Sequence, residues 1–415
     1  MKRYFYPLFA FLLILTACTP QIEQENTTYD LADWSSVVEA ARGQTVNWYM
    51  WGGSESINNY VDTFYGSALK ERYDITLNRV PVADSTDYVN QILSEKEAGV
   101  QVGAVDLMWI NGENFSTLKQ AEMLYPDWAQ KIPNSALVNW DNPAIYLDFG
   151  TPVDKMESPW SSAQFQFIYD TTRTSTNELP RSYEELKTWA CANPGRFTYI
   201  APGPGGFLGT RFVKGILYEI SGGEALWKAY DQETWEQWSP QLWAYLNEIE
   251  PCLWRSGATY PQNEAELVRL FANNEVDFSM TNDITGAGRW IADGLMPDSA
   301  RAFVFNENMI GDFNYVAIPS NSPHKAAALV VANLLLEPEF QAEQILPENG
   351  FGLGYAIDVN RVTDETAKAK LNASANKLGQ AATPADELAR ALVGDTAPEY
   401  QGLVEQEWLQ EVVQK

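Results

Sequence analysis

Four short breaks in the chain gather glycine, amide, hydroxyl and carboxylate groups: Trp51-Gly52-Gly53-Ser54, Asn111-Gly112-Glu113-Asn114, Gly203-Pro204-Gly205-Gly206 and Thr281-Asn282-Asp283. None carries a catalytic spacing. The chain has no G-x-S-x-G elbow, no H-E-x-x-H, no Walker loop and no G-x-G-x-x-G fingerprint. The single histidine, His324, follows Pro323 at an expected helix start and reads as a surface cap. One histidine cannot assemble the usual zinc ligand sets. The 55 acids supply carboxylate pairs by chance, so a glycan-hydrolysing pair stays open as an alternative. The chemistry these breaks offer is recognition. Glycine lets backbone approach a ligand. A helix starting after each break aims free N–H groups outward, which suits a carboxylate or phosphate. Trp51 and Trp109 offer flat apolar faces. Each break reads equally well as an ordinary connecting turn with its tryptophan in the core.

The elements that must position these breaks alternate. Residues 45–51 are strand-like and stop at Gly52-Gly53; residues 75–82 and 105–110 are two further strands. Between them Ile57, Tyr60, Val61, Phe64 and Leu69 recur at helical spacing, and Ser85 opens a helix carrying Val89, Ile92 and Leu93. A second alternating region follows Pro159. It has a capping box at Ser182-x-x-Glu185, strands at 197–200 and 276–280, and a helix from about Thr210 to Ser221. Tryptophans 227, 235, 238, 243 and 254 read as helix core. Residues 315–319 form a short strand, 326–336 an apolar helix, and 360–395 surface helices. Strands alternating with helices imply crossover units and a mostly parallel α/β sheet, whose ligands sit beyond the carboxyl ends of the strands.

The beginning of the chain reads as an address. Lys2 and Arg3 precede an apolar run from Tyr4 to Leu15 that is too short to span a bilayer as a helix. Leu15-Thr16-Ala17-Cys18 resembles the bacterial lipobox, which implies a signal peptide over 1–17 and lipid on Cys18. An ordinary signal peptide with an incidental cysteine is the alternative. Residues 18–43 are a polar tether. The formal charge is −27, and losing Lys2 and Arg3 makes the remainder more negative still. Such a surface repels nucleic acid and excludes it as a partner. In an exported chain the remaining cysteines, Cys191 and Cys252, read as a disulfide, with two buried thiols as the alternative. The mature length exceeds one hydrophobic core, so two domains are expected.

Val46-Asn47-Trp48-Tyr49-Met50-Trp51-Gly52-Gly53 and the block from Val105 through Trp109-Ile110-Asn111-Gly112-Glu113-Asn114-Phe115 resemble the YnjB-like substrate-binding proteins of ABC transporters. Pro159-Trp160-Ser161-Ser162-Ala163-Gln164-Phe165 and Tyr315-Val316-Ala317-Ile318-Pro319 extend the likeness over about 36–400. The resemblance implies a two-lobed type 2 periplasmic-binding fold with a hinge. Lobe 1 is expected at 44–158 plus 316–415 and lobe 2 at 159–315, with crossings near 158–165 and 312–319. It further implies a monomer without cofactor or catalysis, in the periplasm or cell envelope, that captures a small polar ligand by hinge closure and delivers it to a permease and its ATPase. The expected ligand-binding set is Trp51, Gly52, Gly53, Ser54, Asn111, Gly112, Glu113, Asn114, Trp160, Gln164, Gly205, Gly206, Thr281, Asn282 and Asp283. Trp160 reads equally as a hinge packing residue. The alternative function is an extracellular carbohydrate-active enzyme using paired carboxylates.

Overall fold

The computed structural model describes residues 29–203, 205–346, 349 and 353–414. The signal peptide over 1–17, the lipid-bearing Cys18 and the first part of the tether lie outside the described residues.

Eleven strands are found among the described residues: β1 (Thr45–Trp51), β2 (Thr76–Val82), β3 (Leu107–Ile110), β4 (Leu147–Asp148), β5 (Thr151–Pro152), β6 (Glu157–Gln164), β7 (Gln166–Asp170), β8 (Phe278–Thr281), β9 (Ala300–Phe303), β10 (Met309–Ala317) and β11 (Leu392–Val393). The first sheet runs β11-β10-β3-β1-β2, with β6 also paired to β10. β1 is parallel to β2 and β3, as the crossover pattern requires, while β10 runs antiparallel to both β3 and β6. On β1 the alternation is decisive: Val46, Trp48 and Met50 are buried while Trp51 at the carboxyl end is exposed. The strongly apolar stretch 326–336 forms the helix Lys325–Leu335, buried on one face of this sheet beside the helix Trp34–Ala41. The helices Thr86–Glu97 and Gly112–Gln120 cover the other face.

The second sheet is β8-β7-β9, with β7 antiparallel to both neighbours. The strand expected at 197–200 forms no ladder. Its flanks are held instead by loop bonds, Trp254 N–H to the Phe197 carbonyl (2.7 Å) and Ala201 N–H to the Pro261 carbonyl (2.8 Å). A core rich in aromatic groups, including Phe167, Phe212, Phe303 and Phe305, surrounds this sheet. Cys191 and Cys252 are joined by a disulfide, Cα atoms 4.8 Å apart, which ties the helix Tyr183–Ala192 to the turn at 250–252.

Three further sequence expectations change. β6 and the first half of β10 were not legible as strands, since Glu157-Ser158-Pro159 and Gly311-Asp312-Phe313-Asn314 look like loop. The register shift between Asn314 and Tyr315 accommodates Pro159, which has no N–H to give a ladder. The tail expected with lobe 1 packs elsewhere: Leu388, Tyr400, Val404, Trp408 and Val412 belong to the core around the second sheet. The apolar face of the helix Pro398–Trp408 decides this, and Trp408 Nε1–H donates to the Tyr199 hydroxyl at 3.0 Å. Only Phe165 separates β6 of the first sheet from β7 of the second. His324 stands at the cap position of the helix Lys325–Leu335, but its ring contacts Asp106 Oδ1 at 3.1 Å and does not cap.

Candidate functional site

The carboxyl ends of β1, β2 and β3 open on one cleft of about 930 Å³ between the two sheets. Trp51 and Ser54 follow β1, Asp84 and Ser85 follow β2, and Trp109, Asn111 and Asn114 lie at the end of β3. The facing wall brings Phe207, Glu264, Asn282, Asp283 and Arg289. The crossing strands form the floor with Ala163, Asp312 and Asn314. The size is that of a small-molecule site.

Each expected residue has a definite place. Trp51, Ser54, Asn111, Asn114, Asn282 and Asp283 line this cleft. Gly112 and Glu113 line a neighbouring hollow of about 380 Å³, shared with Phe149, Phe207 and the tail residues Gln401 and Glu405. Gly52 and Gly53 serve their neighbours. A Cβ on Gly52 would lie 2.6 Å from the Pro81 side chain, and one on Gly53 would lie 2.2 Å from the Trp51 indole. Gly53 thus lets the Trp51 ring lie over the backbone, and Gly52 lets β1 end close against Pro81. Thr281 is buried, its hydroxyl accepting from Asp283 N–H at 3.2 Å. Trp160 is wholly buried, edge-on to Trp48 and Trp109 at 5.3 and 5.0 Å. Gln164 is turned away, its amide donating to the Leu388 carbonyl at 2.9 Å. Gly206 is required by close packing, since a Cβ there would lie 1.8 Å from the Ala201 carbonyl oxygen. Gly205 has positive φ (80°) beside the Gln262 carbonyl.

Sequence reasoning missed Asp84, Phe207, Glu264, Arg289, Asp312 and Asn314. Asp84-Ser85 follows β2 as Ser54 follows β1, so the strand-end rule applied once more finds it. Asp312 and Asn314 were hidden with their strand. Glu264 sits one residue after the Asn263 cap, in the first turn of the helix Glu264–Ala272, where nothing in the local pattern marks it as a cleft residue.

The electrostatics are organised around paired charges. Arg289 Nη2 lies 2.5 Å from Asp283 Oδ2. Beneath the floor, buried Arg211 lies 2.8 Å from Asp312 and 3.5 Å from Asp395, and also bonds Asn282; Lys214 lies 2.6 Å from Asp395. Burial pushes the Asp312 carboxyl up and Arg211 only partly offsets it, whereas Lys214 and Arg211 overcome burial to hold Asp395 below the ordinary range. Glu264 is pushed up to about 7, chiefly by burial and then by the charge of Asp283, with Thr281, Arg289 and Trp290 opposing. Its Oε1 is buried and accepts no hydrogen bond. The helix N-terminus at Gly112 is already filled: Gly112 N–H donates to Asp148 Oδ2 at 2.5 Å. Among the described residues no three His, Cys, Asp or Glu side chains converge as metal ligands.

Two sheet-based cores facing each other across a cleft, with strand-end loops of one and polar groups of the other on its walls, define the class of two-lobed solute-binding proteins. The chain belongs to the bacterial extracellular solute-binding protein family, whose sequence profile matches residues 65–352. It is 39% identical to Protein YnjB of Escherichia coli K12 over 318 residues, 76% of this chain and 80% of that protein. Its fold is similar to the spermidine/putrescine ABC transporter substrate-binding protein PotD of Streptococcus pneumoniae (TM-score 0.60, 15% identity, 89% of this chain and 99% of that one). It is also similar to iron-bound HitA of Pseudomonas aeruginosa (TM-score 0.53, 16% identity, 88% and 98%).

Proposed function

We propose that this protein is the exported solute-binding component of an ABC importer. It captures a small polar ligand in the inter-lobe cleft and presents the closed form to a permease and its ATPase. The observation that carries this is the cleft of about 930 Å³ walled from both sheets and floored by the strands that cross between them. A ligand touching both walls favours the closed arrangement by the free energy of those added contacts. The contacting set is Trp51, Ser54, Trp109, Asn111 and Asn114 on one side and Phe207, Glu264, Asn282 and Asp283 on the other. The protein acts as a monomer, without cofactor and without a catalytic step. Cys18 carries the lipid that holds it to the membrane, and the tether is shorter than the 18–43 expected from sequence, because Val37, Ala40 and Ala41 of the helix Trp34–Ala41 are buried in the first core.

Purified protein screened against thiamine, polyamines, sugars, amino acids and phosphates tests the reading. One class is expected to raise Tm by the amount RT ln(1 + [L]/Kd) dictates and to contract the molecule in X-ray scattering. No shift with any class, together with hydrolysis of a glycan, would favour the enzymatic alternative. One observation speaks for that alternative: Glu264 and Asp283 are among the carboxyls that share the cleft, and Glu264 is pushed up to about 7. The ion pair of Asp283 with Arg289 speaks against a free second carboxylate.

A further inference from the structure

We propose that the cleft takes an organic cation, its ammonium or other cationic nitrogen seated between the tryptophan wall and Glu264. This rests on the solute-binding reading above and names the class of solute.

The charge balance of the walls points one way. Asp84, Glu264, Asp283 and Asp312 are carboxylates of the lining, and Arg289 is its sole cation among the described residues. Arg289 is committed to Asp283, and Arg211 beneath the floor to Asp312 and Asp395. Glu264 is therefore a carboxylate without a cation of its own, with a buried oxygen that accepts nothing. Its titratable and polar surroundings are Asp283, Arg289, Thr281 and Trp290. The same balance disfavours an anion. The helix start at Gly112 gives its first N–H to Asp148, and the first turn of the helix Glu264–Ala272 carries Glu264 and Glu266 behind the Asn263 cap. At these two helix starts the protein's own acids stand where an anion would seek N–H donors.

Two further features give the cation organic character. Trp51 is 43% exposed at the cleft, edge-on to Trp109 at 6.5 Å, and so presents an indole face. A desolvated indole face attracts a cation. Phe207 stands on the facing wall, one of its faces already covered by Arg211 at 4.5 Å. A cavity of this size with no converging set of metal ligands among the described residues suits a molecule rather than a bare ion.

Three probes that share one ring test the charge: 1-methylnicotinamide, nicotinamide and nicotinate, with 1,4-diaminobutane and choline beside 3,3-dimethylbutanol as further probes. Calorimetry and thermal shift on the full chain are expected to show the cations binding and their neutral or anionic counterparts at least tenfold weaker. Glu264→Gln is expected to weaken the cations about tenfold with circular dichroism unchanged and Tm not lowered, and Trp51→Ala to weaken them similarly. Affinity for permanently charged 1-methylnicotinamide is expected to fall as pH drops from 8 to 6, because Glu264 must be ionised to hold it. Binding of a neutral or anionic solute that Glu264→Gln leaves unchanged or strengthens overturns the charge assignment while the solute-binding reading stands. So does the absence of any cation response from folded protein that binds another solute. Only a protein that binds no solute of any charge removes both readings together.

Discussion

Glu157 shows how far a single residue can be placed against its own chemistry. It lies on β6 with neither carboxylate oxygen hydrogen-bonded, and burial, then the charge of Asp148, raises its pKa well above the ordinary 4.5. A carboxyl whose folded pKa is raised takes up a proton on folding. Its ionised form therefore opposes folding at every pH above the ordinary value, and the penalty vanishes below it. Glu157→Gln is expected to raise Tm at pH 7.5 and to leave it nearly unchanged at pH 4, measured by thermal unfolding at both. A lower Tm at pH 7.5 would mean that this carboxylate is paired in solution. Asp395 has the opposite sign: held low by Lys214 and Arg211 against its burial, it stabilises above the ordinary carboxylate range and loses that contribution on acidification. None of this was legible in the sequence. A Glu beside Ser158 and Pro159 carries no mark of burial until β10 is laid next to it.

At the scale of elements, local patterns were readable where one element settles them. β1 through Trp51 and the cap at Ser182 declare themselves through alternation or capping residues. The disulfide is of the same kind, two cysteines left over in an exported chain. It closes a separation of 61 residues and clamps a helix to a loop of 3-10 turns. Reduction or the double change Cys191→Ser, Cys252→Ser is expected to lower stability by about 2–5 kcal/mol, read as the urea midpoint with and without reductant. The helix Pro398–Trp408 was not assignable to a core by pattern, because its apolar face says only that it packs, not on what. Trp408→Ala is expected to cost about 3–5 kcal/mol, measured by urea denaturation. A change below about 1 kcal/mol would mean that the tail is not part of that core.

Across the whole molecule the two cores are joined by a buried ion cluster. Asp312 on β10 reaches Arg211 on the helix Phe207–Ser221, and Asp395 joins both Arg211 and Lys214. Two cations balance two carboxylates there with little solvent, so removing one partner leaves an uncompensated buried charge. Asp312→Ala is expected to destabilise by roughly 3 kcal/mol, and to change the scattering-derived dimensions of the ligand-free protein, since it cuts a tie between the sheets. Unaltered scattering would leave the cluster a stabilising feature without influence on lobe arrangement. The floor of the cleft is thus tied by charge to the helix Phe207–Ser221.

The parallel β1–β3 unit and six of the residues that line the cleft followed from sequence alone, because each depends on neighbours within a few positions. The exceptions share one cause. Trp160 and Gln164 face away, Gly52, Gly53 and Gly206 serve packing, and Glu264, Asp312 and Arg289 enter the cleft because of contacts between segments far apart in the chain. Periodicity states that a side chain is on a face; only the assembled sheets decide which face, and whether a charge there meets a partner or is left waiting for one.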